Sequence, residues 1–139
     1  MNTRIPAHQE KTQQRFKKFL EGETVESLKG TDLETKKHSQ RALLANKFPK
    51  MTVVSIPDDY VHYDINMPRT FSVRECARLQ TFPDWYQFAG KRTTGGIRRA
   101  GNPRESIFER EVPKYTQIGN AVPVKLAFEI GKHFKKLLK

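Results

Sequence analysis

The chain has 139 residues, a formal net charge of +11 and a mean hydropathy of -0.73. That length suits one domain of ordinary size, and no run of about 18 apolar residues offers a membrane span. A single cysteine excludes an internal disulfide, no zinc-ligand spacing is present, and Met1–Pro6 lacks the apolar core of a secretory signal.

The basic excess favours a polyanionic partner, because Lys and Arg that neutralise phosphates release counterions. Arg is concentrated in the middle, with Arg92, Arg98, Arg99, Arg104 and Arg110 close together, whereas Lys dominates the tail. Planar Arg forks suit phosphate oxygens and guanine edges; a Lys run suits a solvated helix face.

Residues 8–21 form the first predicted helix: Phe16, Phe19 and Leu20 share a face and Gly22 stops it. Residues 23–50 carry scattered leucines and close near Pro49. Met51–Ile56 is short and β-branched, hence a predicted strand. Pro57-Asp58-Asp59 follows as a turn, and Tyr60–Ile65 is a candidate second strand before Pro68 breaks the chain. Ser72-Val-Arg-Glu75 has the spacing of a capping box and opens a predicted helix over 73–80, which Phe82-Pro83-Asp84 ends. Residues 89–103 hold four glycines and Pro103 and read as a long basic loop. Asn120 is expected as an N-cap, with Pro123 early in a last helix running to about residue 137. Val122, Leu126, Ile130, Phe134, Leu137 and Leu138 mark its apolar stripe.

Few of these residues form a site by themselves. Gly90-Lys-Arg-Thr-Thr-Gly95-Gly96 is not a nucleotide phosphate loop, since Gly96 stands where Lys is required. It reads either as a basic loop lying on DNA phosphates or as a flexible linker. Phe82, Trp85, Tyr86 and Phe88 read as a hydrophobic plug beneath the preceding helix rather than as base-stacking rings. Cys76 reads as a small buried residue rather than a reactive thiolate. His8, His38, His62 and His133 lack ligand spacing, and Asp58-Asp59 reads as a turn.

Two segments go further. Arg69-Thr-Phe-Ser-Val-Arg-Glu-Cys-Ala-Arg-Leu-Gln-Thr-Phe-Pro-Asp84 resembles the ninth conserved motif of DNA (cytosine-5) methyltransferases, and Gln117-Ile-Gly-Asn-Ala-Val-Pro-Val124 resembles their tenth. Thr52–Tyr60, Gly90–Gly96 and Val112–Thr116 are similar to segments of bacterial restriction–modification members, so the likeness covers about residues 5–135. Members of that family have two lobes with double-stranded DNA between them. The larger is a doubly wound α/β domain that binds S-adenosylmethionine; the smaller recognises the target. The target cytosine is flipped out, its C6 is attacked by a cysteine, and C5 is methylated.

The departures are equally informative. The family's cofactor loop Phe-x-Gly-x-Gly, its nucleophilic Pro-Cys, its Glu-Asn-Val and its Gln-x-Arg-x-Arg are absent from these 139 residues, and Cys76 follows Glu75 within the ninth motif. The resemblance therefore implies the non-nucleophilic half of a methyltransferase split into two subunits, of the AquI type. Its partner is a larger subunit that carries Pro-Cys and Phe-x-Gly-x-Gly. The expected fold class is α+β: a target-recognition lobe of short strands and loops over residues 1–116, then the tenth motif and terminal helix over 117–139, docking on the partner's α/β lobe. Gln117, Gly119, Asn120 and Ala121 are implied at the S-adenosylmethionine pocket. Independently of that, a Gly-Asn turn at a helix start offers donors to a zwitterion, although without the resemblance a plain N-cap is the better account of Asn120. Arg69, Ser72, Arg74, Lys91, Arg92, Thr93 and Thr94 are expected DNA contacts, with internal salt bridges the alternative for Arg74 and Arg78. No catalytic residue, metal site or membrane contact is expected in this chain. The cell compartment expected for it is the bacterial cytoplasm, at the nucleoid. Rival readings are a stand-alone DNA-binding or regulatory module descended from such an enzyme, and an inactive orphan fragment.

Overall fold

The computed structural model describes residues 4–37, 40–42, 60–93, 106 and 112–138. They fall into two compact units, one ending at Ser72 and the other beginning at Val73. Helices and short strands are mixed, in keeping with α+β. The strand expected at Met51–Ile56, the turn at Asp58-Asp59 and most of the Gly-rich basic loop lie outside the described residues.

The first unit is built on helix α1 (Glu10–Leu20) and the two-residue strands β1 (Arg41–Ala42) and β2 (Tyr60–Val61). The 16/19 spacing puts Phe16 and Phe19 on one face of α1, where they are buried with Leu28 and Val61. Gly22, at φ +104°, ends the helix in a Schellman motif: Gly22 N–H donates to Phe19 O and Glu23 N–H to Lys18 O. The strands run parallel, with Arg41 opposite Tyr60 and Ala42 opposite Val61. Val61 also forms an antiparallel bridge with Thr70, and the His8 ring accepts the Thr70 N–H at 3.2 Å. The second strand is shorter than the expected 60–65. The Asp64 carboxylate accepts the Asn66 N–H at 3.0 Å, and this Asx turn redirects the backbone before a ladder can extend.

The second unit holds α2 (Val73–Leu79), α3 (Lys114–Asn120) and α4 (Val124–Leu137). Helix α2 packs on α3. Val73, Cys76, Ala77, Phe88, Tyr115 and Ile118 are buried. The sequence expectation for Asn120 is corrected here, since it is the last residue of α3 and not an N-cap. Pro123 stands at the N-cap of α4, one position ahead of the helix rather than within it. Helix α3 was not expected at all. Helix α4 contributes no buried residue: Leu126, Ile130, Phe134 and Leu137 are all exposed. Among the described residues no helix is long and apolar enough to cross a membrane.

Candidate functional site

The end of α2 meets the ends of two other helices. Gln80 is 1% exposed, and its Nε2 donates to the Ile118 carbonyl at 3.1 Å and the Ala121 carbonyl at 3.2 Å. The Ile118 carbonyl, near the C-terminus of α3, also accepts the N–H of the C-cap residue Ala121 at 3.2 Å, so Gln80 adds a second bond there and reaches the carbonyl of the C-cap itself. The Gln80 carbonyl accepts the Val124 N–H at 3.1 Å, and the Thr81 hydroxyl accepts the Lys125 N–H at 2.9 Å. Residues 80–81 thus satisfy acceptors at the end of α3 and donors at the start of α4. Thr81 holds φ at +60°, which is unusual for a β-branched residue. The segments resembling the ninth and tenth motifs are joined by this clasp, which no local sequence pattern announces.

Of the four residues expected at the cofactor, Asn120 is exposed, while Gln117, Gly119 and Ala121 are half-buried. The Gln117 amide donates to Ala89 O at 3.0 Å and Val112 O at 2.8 Å, so its nitrogen serves the protein itself. The Gly-Asn pair sits at a helix end, not a helix start. What it offers outward is the Asn120 side-chain amide, donor and acceptor together, rather than a set of backbone N–H groups.

Beside Gln117 runs the basic segment. Lys114 N–H donates to Lys91 O at 2.9 Å, and Gly90 takes φ +83° close to Val112 O, a conformation that favours glycine. Lys91, Arg92 and Thr93 are exposed; Thr94 lies outside the described residues. Arg69, Ser72 and Arg74 are buried. The Arg69 guanidinium donates to Thr70 O at 3.1 Å, and that of Arg74 to Pro83 O at 3.3 Å and Tyr86 O at 2.7 Å. Arg78 instead grips Asp84 with two bonds of 2.9 and 2.7 Å, both side chains being exposed. The Arg78 bond holds the Asp84 carboxyl below its ordinary range.

The aromatic residues divide. Phe88 is buried and its ring lies 5.1 Å from that of Phe82 and 5.0 Å from that of Tyr86, which makes a plug. Trp85 and Tyr86 depart from that reading, at 77% and 41% exposure, although the Tyr86 ring still flanks Phe88. Cys76 lies inside α2 and burial, with Glu75 adding to it, pushes its thiol up to about 12. It is a neutral thiol at pH 7, unsuited to nucleophilic attack. At pH 8 an alkylating reagent is expected to label it only after unfolding, as mass spectrometry would show. Its pKa is raised on folding, so its contribution to stability is complete below its ordinary value of 9.0 and is lost as the pH rises towards 12.

Comparison with known proteins points the same way. The family model for the C-5 cytosine-specific DNA methylase matches residues 1–136. Type II methyltransferase M.MthTI of Methanothermobacter thermautotrophicus is 31% identical over 138 residues, covering 97% of this chain and 36% of its own. M.BspRI of Lysinibacillus sphaericus is 45% identical over 64 residues, 46% of this chain and 13% of its own. M.BsuRI of Bacillus subtilis is 49% identical over 59 residues, 42% and 12% respectively. The chain thus spans 12% to 36% of the length of these relatives. No solved structure matches it. With the family match running through both motif-like segments that the Gln80 clasp ties together, the chain belongs to the C-5 cytosine-specific DNA methylase family.

Proposed function

We propose that this chain is the non-nucleophilic subunit of a heterodimeric DNA (cytosine-5) methyltransferase. It supplies target recognition and one wall of the S-adenosylmethionine pocket, and residues 1–116 and 117–139 divide these two roles. The observation that carries the reading is the state of Cys76. The one cysteine of a methylase-family chain is buried, protonated and outside any Pro-Cys dipeptide, so the attacking thiolate comes from elsewhere. A larger subunit with Pro-Cys and Phe-x-Gly-x-Gly provides it.

S-adenosylmethionine, when bound, supplies the methyl group. This chain's own part is to hold and orient. Asn120 fits such a ligand, because its exposed amide both donates and accepts next to backbone that Gln80 fixes. Gln117, Gly119 and Ala121 shape that wall from behind. Exposed Lys91, Arg92 and Thr93 form the basic edge that meets DNA phosphates, with Thr94 the next residue in sequence expected to join them, and the exposed apolar stripe of α4 is the surface that docks on the larger subunit. Arg69, Ser72 and Arg74 are buried and do not face DNA as they stand; Arg74 instead holds the backbone at Pro83 and Tyr86 that leads to the basic edge.

Transfer of a labelled methyl group from S-adenosylmethionine to duplex DNA tests this. This chain alone and the larger subunit alone are expected to be inactive, and the mixture active, also with Cys76→Ser. Activity of this chain by itself overturns the reading. Inactivity of the mixture with retained DNA binding favours the stand-alone DNA-binding module, for which the exposed Lys91 and Arg92 speak.

A further inference from the structure

Gln80 is nearly sealed from solvent, carries a side chain with two N–H donors, and uses both on carbonyls 38 and 41 residues away. We propose that Gln80 is the positioning residue of the cofactor wall: its side-chain amide and main-chain carbonyl together fix the segment Ile118–Val124 that presents Asn120. The inference rests on the reading above, in which Asn120 borders the S-adenosylmethionine pocket.

Geometry carries it. The three bonds land two residues before Asn120, one after it and four after it. Asn120 ends α3, and Ala121 is already extended at φ -81°, ψ 144°. The chain changes direction at Asn120, and what holds the change is Gln80. The task also selects the residue type. Two carbonyls, that of buried Ile118 and that of half-buried Ala121, need two donors on one small group. An amide provides them without charge, whereas Lys or Arg would bring an ion to the buried position that Gln80 occupies. Leu has the bulk but no donor: the Ile118 carbonyl would keep only the Ala121 N–H, and the Ala121 carbonyl would lose its bond from Gln80. Asn120 itself is exposed and receives no bond from Gln80, so the effect passes through the backbone alone. A purely packing role would have no use for this donor arrangement.

The test uses the reconstituted pair with S-adenosylhomocysteine as probe, read by calorimetry, beside DNA affinity and amide exchange. For Gln80→Leu, the dissociation constant for S-adenosylhomocysteine is expected to rise about tenfold, the scale of one lost buried hydrogen bond. Assembly and DNA affinity are expected to hold. Amide exchange should quicken at Ala121 and Val124 while the α2 amides stay protected. Asn120→Ala sets the scale of the loss. Gln80→Glu adds a readout that packing does not move: the carboxylate donates nothing, but the protonated acid donates one bond, so its defect should shrink as the pH falls. Overturning results are a Gln80→Leu pair that binds the probe as the unaltered pair does, or one that loses DNA affinity in the same proportion. If Gln80→Leu does not assemble, a pH-independent defect in Gln80→Glu overturns the proposal. An unaltered pair that binds no probe overturns the split-enzyme reading instead. In that case Gln80 is still judged by exchange at Ala121 and Val124.

Discussion

Ile130→Asp in the last helix is expected to lower the affinity of this chain for the proposed larger subunit at least about 30-fold, the scale of an interface hot spot. Its own thermal stability is expected to stay within about 0.5 kcal/mol, as for an ordinary surface substitution. Both halves follow from one fact. Helix α4 has an apolar stripe at helical spacing and no buried residue: Ile130 is 45% exposed and Phe134 57%. Among the described residues Ile130 belongs to no buried cluster, so little of the chain's own packing is lost when it becomes Asp. Under the proposed docking, however, that side chain enters an apolar interface where a carboxylate has no partner and keeps its desolvation cost. Phe134→Asp is expected to behave in the same way, with the larger area at stake. Lys132, on the other side of the helix and paired with Glu129 at 3.1 Å, provides the contrast: Lys132→Ala should assemble as the unaltered chain does. Co-purification of tagged larger subunit with each variant, and calorimetric melting of each variant alone, measure the two effects separately. Unimpaired assembly of both Asp variants would remove α4 from the interface.

The stripe of α4 was legible in the sequence because helical period is a local property. The same holds for α1, where Phe16 and Phe19 fix the buried face and Gly22 the stop, and for α2 after Ser72. Helix α3 was not legible. Lys114–Asn120 includes Thr, Gly and Asn, which are weak helix formers, and its apolar pair Tyr115 and Ile118 is too short a pattern to detect. Burial of that pair beside α2 outweighs propensity, and Asn120 consequently moves from a helix start to a helix end. Trp85 failed for the opposite reason, since aromatic character does not say which ring of a cluster faces out. The family was legible from two short segments, yet the residue that joins them was not. Gln80 acts over separations of 38 and 41 residues, and a lone Gln carries no pattern. The two roles weighed for Arg74 and Arg78 separate only in three dimensions. Asp84 is within reach of Arg78, while Arg74 turns inward to carbonyls.

That separation yields a second large effect. Arg74→Ala is expected to destabilise the chain by roughly 3 kcal/mol, combining lost charge-assisted bonds with lost packing of the buried stem. Arg78→Ala should leave the melting temperature almost unchanged. Arg74 is 6% exposed and its fork spans Pro83 O and Tyr86 O, which ties down the turn that follows α2 and supports the Phe82–Phe88 plug. Arg74→Lys should recover little, because an ammonium is a point donor and cannot reproduce the planar fork across two carbonyls. Arg74→Met keeps the stem and loses the donors, so its position between the Ala and unaltered chains divides packing from hydrogen bonding. The Arg78–Asp84 pair has bonds at least as short but lies in water, where screening and side-chain entropy cancel most of the attraction. Its contribution also depends on pH in a known sense. The Asp84 carboxyl is held below its ordinary range, so the pair is intact above that range and is lost as the pH falls through the lowered value. Arg74 bonds neutral carbonyls, and its attraction to Asp84 is the smallest of those acting on that carboxyl, so most of its contribution survives the same change. Acid melts of the two Ala variants against the unaltered chain therefore separate the two arginines. The Arg74→Ala deficit should persist as the pH falls from neutral, and any small Arg78→Ala deficit should vanish. Equal deficits in both variants would mean that the carbonyl fork of Arg74 carries no more of the fold than a surface ion pair does.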